Sequence, residues 1–270
     1  MSNIEILNLL QYSFIQKAFL AGSFIAITCS ILGLFLVLRK MSLIGDGLSH
    51  VSFGAIALGL YLGIYPFYIA VPLVMIASIL ILKISEKAKV YGDAAIGIVS
   101  AVGISSGIIL ASLSNGFNVD LFGFLFGNIL AISTTEVVLS VILSLIIIAF
   151  LYFFYWDLFS ITFDEEYAKT TGIKTSSINL LLTLLTSVTV VLAVKMVGVM
   201  LVSALLILPA VTALQIAKSF KVALILSAFM ALISVILGII ISFFLDLPTG
   251  ATIVIVSVVL LASTFRNKSI

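Results

Sequence analysis

Apolar runs of about 20 residues recur along almost the whole of this 270-residue chain, and no other feature limits its fold so strongly. A helix of that length rises about 30 Å, the thickness of a bilayer's hydrocarbon core. In lipid the backbone must satisfy its own hydrogen bonds, which leaves helices or a closed barrel. Barrel strands alternate polar and apolar side chains over about 10 residues. The runs here do not alternate, so the expected fold class is all-α, a polytopic integral membrane protein. Composition agrees: 63% of residues are hydrophobic and 9% charged, against about one-quarter charged in a soluble domain. The net charge of +2 is too small and too dispersed to indicate nucleic acid. One cysteine, Cys29, excludes an internal disulfide. The N-terminal MSNIEILNLLQYSFIQKAF has neither the basic head nor the small-residue cleavage site of a signal peptide. The first apolar helix is therefore expected to direct insertion.

The 20-residue criterion gives about nine spans, at 14–38, 45–64, 66–83, 93–113, 134–155, 177–195, 198–217, 222–245 and 250–265. Only the stretch Lys195 to Gly198 parts the sixth from the seventh, and joining them gives eight. Segment 114–133 (SNGFNVDLFGFLFGNILAIS) is polar and glycine-broken, and reads as a re-entrant or interfacial piece. Lysine and arginine favour the cytoplasmic side of short loops. With nine spans, Arg39 and Lys40, then Lys83, Lys87 and Lys89, Lys169 and Lys174, Lys218 and Lys221, and Arg266 and Lys268 share one side. Only Lys17 and Lys195 oppose them, which puts the N-terminus outside and the C-terminus in the cytosol. The turns near Tyr65–Pro66, segment 114–133 and the Asp246–Pro248 corner then face outward. Gly59/Gly63, Gly103/Gly107 and Gly123/Gly127 have the spacing that lets helix backbones approach, and read first as plain packing within a compact bundle. The longest polar stretch is about 20 residues, below the usual domain minimum of about 50, so residues 1–270 read as a single transmembrane domain. There is no G-x-x-x-x-G-K-[ST] phosphate loop. If ATP drives this protein, another chain must bind it.

Two polar stretches carry functional information. The first, WDLFSITFDEEYAKTTGIKTSS (156–177), is the longest cytoplasmic loop in this orientation. Its centre, Asp164 to Lys169, predicts a short helix with acids in the first turn and a lysine later, as the macrodipole prefers, stopped at Gly172. A solvated connector helix accounts for it as well as a docking helix does. The second is LIGDGLSH (43–50), which places Asp46 and the only histidine, His50, four residues apart inside an apolar run. On a helix they share one face, one turn apart. Ionisable groups at membrane depth are costly enough to count as functional candidates. Counting about 1.5 Å per residue from the Arg39–Lys40 boundary puts His50 some 15 Å deeper, near the midplane, where transporters commonly hold substrate. Three readings stay open on chemistry alone: a structural hydrogen-bonded pair, a proton relay, and part of a metal path. Two ligands do not complete a shell of four or more.

Several blocks together resemble a known family. LRKMSLIGDGLSHVSFGAIALG (38–59), VGVMLVSALLILPAVTA (197–213) and DLPTGATIV (246–254) are similar, in order and separation, to the permease subunits of the zinc and manganese ABC transporter family. The loop FDEEYAKTTGI (163–173) resembles that family's cytoplasmic coupling segment, here about 157–175. The resemblance covers roughly residues 12 to 265; Ser49, Val51 and Ser52 stand where many members carry other small residues. It implies a metal ABC importer permease fold, a homodimer of permeases, two cytoplasmic ATPase subunits, and an extracellular or periplasmic metal-binding protein that delivers the ion. By matching position, Asp46 and His50 are the implied metal contacts, and Asp164, Glu165, Ala168 and Gly172 the implied ATPase-coupling residues. Pro209, within Leu208-Pro209-Ala210, matches a family motif; in mid-helix it removes a backbone hydrogen bond and is expected to kink the helix.

The expected function is therefore that of a multi-pass permease in a bacterial cell membrane, non-enzymatic itself and with no stably bound cofactor, importing zinc or manganese with ATP hydrolysed elsewhere. Imidazole suits Zn(II) and later first-row ions while carboxylate suits Mn(II), so the pair does not choose between them or exclude Fe(II). A proton-coupled secondary carrier using Asp46 and His50 as its relay, and a non-transporting membrane scaffold, are the alternatives.

Overall fold

The structure, a computed structural model, describes residues 11–87, 92–113, 119–127 and 132–266. Lys89 and Lys268 of the basic clusters, and residues 114–118 and 128–131 of the glycine-broken segment, lie outside the described residues. Among the described residues there are twelve α-helices and no strand. They are α1 (Ser13–Leu38), α2 (Ile44–Tyr61), α3 (Pro66–Lys87), α4 (Gly92–Leu113), α5 (Val119–Phe126), α6 (Thr134–Phe153), α7 (Tyr155–Phe163), α8 (Glu165–Thr170), α9 (Thr175–Val197), α10 (Val202–Ile216), α11 (Phe220–Leu245) and α12 (Thr249–Arg266).

Each predicted span coincides with one of these helices. Six are long and apolar enough to cross a bilayer, in α1, α3, α4, α6, α9 and α11. Helix α10 and the stretch Thr249–Phe265 are apolar but shorter, and α2, of 18 residues, carries Asp46 and His50. Segments 177–195 and 198–217 fall in two separate helices, because α9 ends where Gly198 turns to φ 88°. A side chain there would meet the Leu125 carbonyl and the Phe126 backbone, so only glycine fits both the conformation and the space.

Burial sorts the bundle into centre and periphery. In α1 and α9, 67% of the most apolar window is buried, against 33% in α4, α6 and α11. The first two are the core rods, and the others turn Val102, Ile109, Ile142 and Ile225 outward, as lipid-facing helices should. Helix α1 packs on α6, α9, α10 and α11, while α2 packs mainly on α3 and α4. The α2–α4 crossing is the closest in character to a small-residue interface: a Cβ on Gly103 would stand 2.6 Å from the Val51 Cα, and one on Gly107 2.5 Å from the Phe53 ring. The other two predicted glycine pairs do different work. Gly63 and Gly127 take positive φ in turns, and Gly123 meets nothing within 4 Å.

The polar loop 156–177 is more ordered than its composition implied. Helix α6 ends at Phe154, and a second helix, α7, begins at once. Leu158 and Ile161 bury one side of α7, and Tyr155, Phe159 and Phe163 pack around Phe220 at the start of α11. Aromatic rings rather than charges thus hold this segment to the bundle. Helix α10 runs unbroken through Pro209.

Candidate functional site

The turn after α1 sets the position of Asp46 and His50. Arg39 donates its backbone N–H to the Phe35 carbonyl and Met41 to Leu36, with Lys40 in the left-handed region at φ 58°. The chain reverses over Arg39 to Leu43, and α2 begins at Ile44. His50 is therefore six residues, about 9 Å, along its own helix, which a turn separates from α1. Asp46 falls in the first turn, where unpaired backbone N–H groups favour a negative charge. One turn on, His50 Nε2 lies 3.6 Å from Asp46 Oδ2, too long for a good hydrogen bond but convergent on a common point. The Asp46 side chain is 44% exposed and that of His50 22%, so the pair is open on one side. Ser49 turns its hydroxyl to the Asp46 carbonyl, not to the pair. His50 Nδ1 is buried and meets no hydrogen-bond partner among the described residues, and the same holds for Ser52 Oγ. Among the described residues no group of three or more His, Cys, Asp or Glu side chains gathers to form a complete metal shell. Chemically, the pair offers one carboxylate oxygen and one imidazole nitrogen to a passing cation.

The four predicted coupling residues come together in a second site. Asp164 caps α8, its Oδ1 accepting from the Tyr167 N–H at 2.9 Å. Glu165 opens the helix, Ala168 is fully buried beneath it, and Gly172 ends the segment at φ 85°. Lys169 Nζ pairs with Glu166 at 2.8 Å. The outer face, with Glu166 at 85% and Tyr167 at 63%, is exposed. The helix is thus capped at its start, buried on one side through Ala168 and exposed on the other.

Two polar clusters escaped the sequence reading. In the first, Arg39 Nη2 lies 3.7 Å from Glu165 Oε2. Burial pulls the Arg39 guanidinium down from its ordinary range and Glu165 opposes that. In the second, Tyr65 donates its hydroxyl to Glu136 Oε1 at 2.6 Å, Lys195 Nζ lies 3.5 Å from the same oxygen, and the Ser133 N–H donates to Oε2 at 2.8 Å. Lys195 also lies 4.9 Å above the Phe124 ring. Burial and then Glu136 push the Tyr65 hydroxyl well above its usual range. A signal did exist for this cluster: Lys195 is a lysine on the wrong side of the charge pattern, and Glu136 opens an apolar run.

The two clusters lie at opposite ends of α9, one through Asn179 and the other through Lys195. Arg39, Glu165 and Phe220 gather at one end, and Tyr65, Glu136 and Lys195 at the other.

Residues 11–267 match the ABC 3 transport family. The manganese transport system membrane protein MntC of Halalkalibacterium halodurans is 37% identical over 267 residues, covering 98% of this chain and 91% of the relative. The high-affinity zinc uptake system membrane protein ZnuB of Haemophilus influenzae is 32% identical over 258 residues, covering 95% and 99%. Among solved structures, PsaBC from Streptococcus pneumoniae in complex with Fab superposes with a TM-score of 0.87 at 32% identity, covering 96% of this chain and 94% of that one.

Proposed function

This chain belongs to the ABC 3 transport family, a multi-pass membrane protein whose relatives move metal ions, and we propose that it is the permease subunit of an ATP-driven importer of manganese or zinc in a bacterial cell membrane. In this reading it works as a homodimer with two cytoplasmic ATPase subunits and an external metal-binding protein, and all nine apolar segments cross the bilayer. The observation that carries the reading is the Asp46–His50 pair on one half-open face of α2, with its nearest polar atoms 3.6 Å apart.

The cargo ion enters as substrate and leaves again, so weak, incomplete coordination serves the path better than a closed cage. Asp46 supplies a hard oxygen donor, suited to Mn(II), and His50 a nitrogen donor, suited to Zn(II). Water or the same pair on the second permease supplies what the shell lacks. Closure of the ATPases on ATP moves α8, and the bundle then opens the pair to alternate sides. No cofactor is held between cycles.

Manganese and zinc accumulation in cells expressing wild type, Asp46→Ala or His50→Ala at equal level tests this. Both substitutions should cut accumulation at least about tenfold, a loss of roughly 1.4 kcal/mol in transition-state or binding terms. Normal accumulation by both would remove the pair from the path. Uptake that survives loss of the ATPase but fails with a protonophore would mark a proton-coupled carrier instead.

A further inference from the structure

Arg39 carries a permanent charge on a side chain only 11% exposed, at the C-terminal end of α1. Neither the metal pair nor the docking face explains it. Its partner, Glu165, divides its two oxygens between elements. Oε2 faces Arg39 at 3.7 Å, while Oε1 accepts from Asn179 Nδ2 of α9 at 3.2 Å and lies 3.8 Å from Lys169 Nζ. Glu165 therefore joins α8 to both core rods at once.

The connection from Arg39 to α2 is short and tied. Lys40 donates to Val37 at 3.1 Å, Met41 to Leu36 at 2.8 Å, Ile44 to Met41 at 3.1 Å and Gly47 to Leu43 at 3.0 Å. No slack loop separates the guanidinium from the first turn of α2, where Asp46 stands. These bonds form a continuous backbone connection from Arg39 to the turn that carries Asp46. An ion pair with a partly exposed acid adds little stability, so its placement at this junction points to direction rather than to strength.

We propose that Arg39 is a positioning residue that links the docking helix to the metal pair, carrying the motion of α8 through Glu165 to the start of α2. The proposal rests on reading α8 as the ATPase dock. Arg39 touches neither cargo nor nucleotide; it acts through Glu165 on one side and the Arg39–Leu43 turn on the other. At 3.7 Å the contact is a charge pairing and not a hydrogen bond, so what Arg39 supplies is a permanent, weakly hydrated positive charge held beside Glu165, where lysine offers a more mobile and more strongly hydrated one.

The test uses the full permease–ATPase complex in proteoliposomes, supplied with Mn(II) and its binding protein, with ATP hydrolysis and ion uptake measured together. Arg39→Gln should keep the ATPase subunits bound and hydrolysis within about twofold of wild type, while ions moved per ATP fall about tenfold, within the range usual for coupled sites. Arg39→Lys should fall between. The exchanged pair Arg39→Glu with Glu165→Arg should regain part of the ratio. If Arg39→Gln leaves ions per ATP unchanged, or lowers hydrolysis and uptake in equal proportion, the proposal is overturned and the residue is structural. Failure of the underlying reading looks different: the wild-type chain itself would then bind no ATPase.

Discussion

Glu136 shows how one buried carboxylate can organise three elements. Its side chain is 11% exposed and receives Tyr65 from the α2–α3 turn, Lys195 from α9 and the Ser133 N–H from its own capping box. Removing the two ends of the ion pair should have unequal cost. With Lys195→Met, the carboxylate keeps Tyr65 and Ser133, so the loss stays near the 1–3 kcal/mol of a weakened buried acceptor. With Glu136→Leu, the ammonium keeps only the Phe124 face and Tyr65 loses its acceptor, so the loss approaches the roughly 3–5 kcal/mol of a broken buried pair. Unfolding midpoints of the two variants and the double variant in detergent measure the difference. Equal losses would mean that Glu136 is not the hub, and a larger loss for Lys195→Met would give that role to Lys195. Asp46 and His50 were legible because ionisable groups inside an apolar run stand out whatever they contact. Arg39–Glu165 and Tyr65–Glu136–Lys195 were not, because each joins residues from distant parts of the chain and no local pattern encodes such a meeting.

Elements obeyed their sequence where length and apolarity alone decided them. Every predicted span is a helix because an apolar run in lipid has no other way to satisfy its backbone. The sequence said less wherever packing decided. Helix α7 lies in a loop by polarity, yet the ring cluster on Phe220 makes it a docked element. Only one of three glycine pairs is a helix crossing, since identical spacing also serves turns. That crossing matters, because a Cβ on Gly103 would stand 3.0 Å from the His50 carbonyl carbon as well as against Val51. Gly103→Val should therefore push α4 off α2 and destabilise by about 1–3 kcal/mol, the usual cost of overpacking. Gly97→Val, on the same helix with nothing within 4 Å of its Cβ position, should be close to neutral. Thermal unfolding of the two variants decides it: comparable losses would mean that helix propensity, not the α2–α4 contact, governs α4.

For the whole molecule, α9 is the element that spans both polar clusters. Asn179 meets Glu165 at one end and Lys195 meets Glu136 at the other, and about 24 Å of helix separates the two residues. Beyond Lys195, α9 stops at Gly198, where Val199 donates to the Phe124 carbonyl at 3.0 Å. A Cβ on Gly250 would meet the Val197 carbonyl at the same place. One buried rod thus runs from α8 to a junction of three backbones at the opposite end. That arrangement serves alternating access only if the two ends lie on opposite sides of the bilayer, which the nine-crossing reading requires. It can be read directly from labelling. With Cys29 replaced by alanine, single cysteines at Tyr68 in the first turn of α3, and at Thr171 and Leu247 in two loops, all exposed, report on three ends of helices. Three crossings separate the first from the second (α3, α4, α6), and three separate the second from the third (α9, α10, α11). An impermeant maleimide should therefore label Tyr68→Cys and Leu247→Cys on intact cells, and Thr171→Cys only after permeabilisation. If the short helix α10 fails to cross, Leu247→Cys joins Thr171→Cys on the inside. If α5 crosses fully, Thr171→Cys moves outside, and the rod no longer connects a cytoplasmic dock to an external closure.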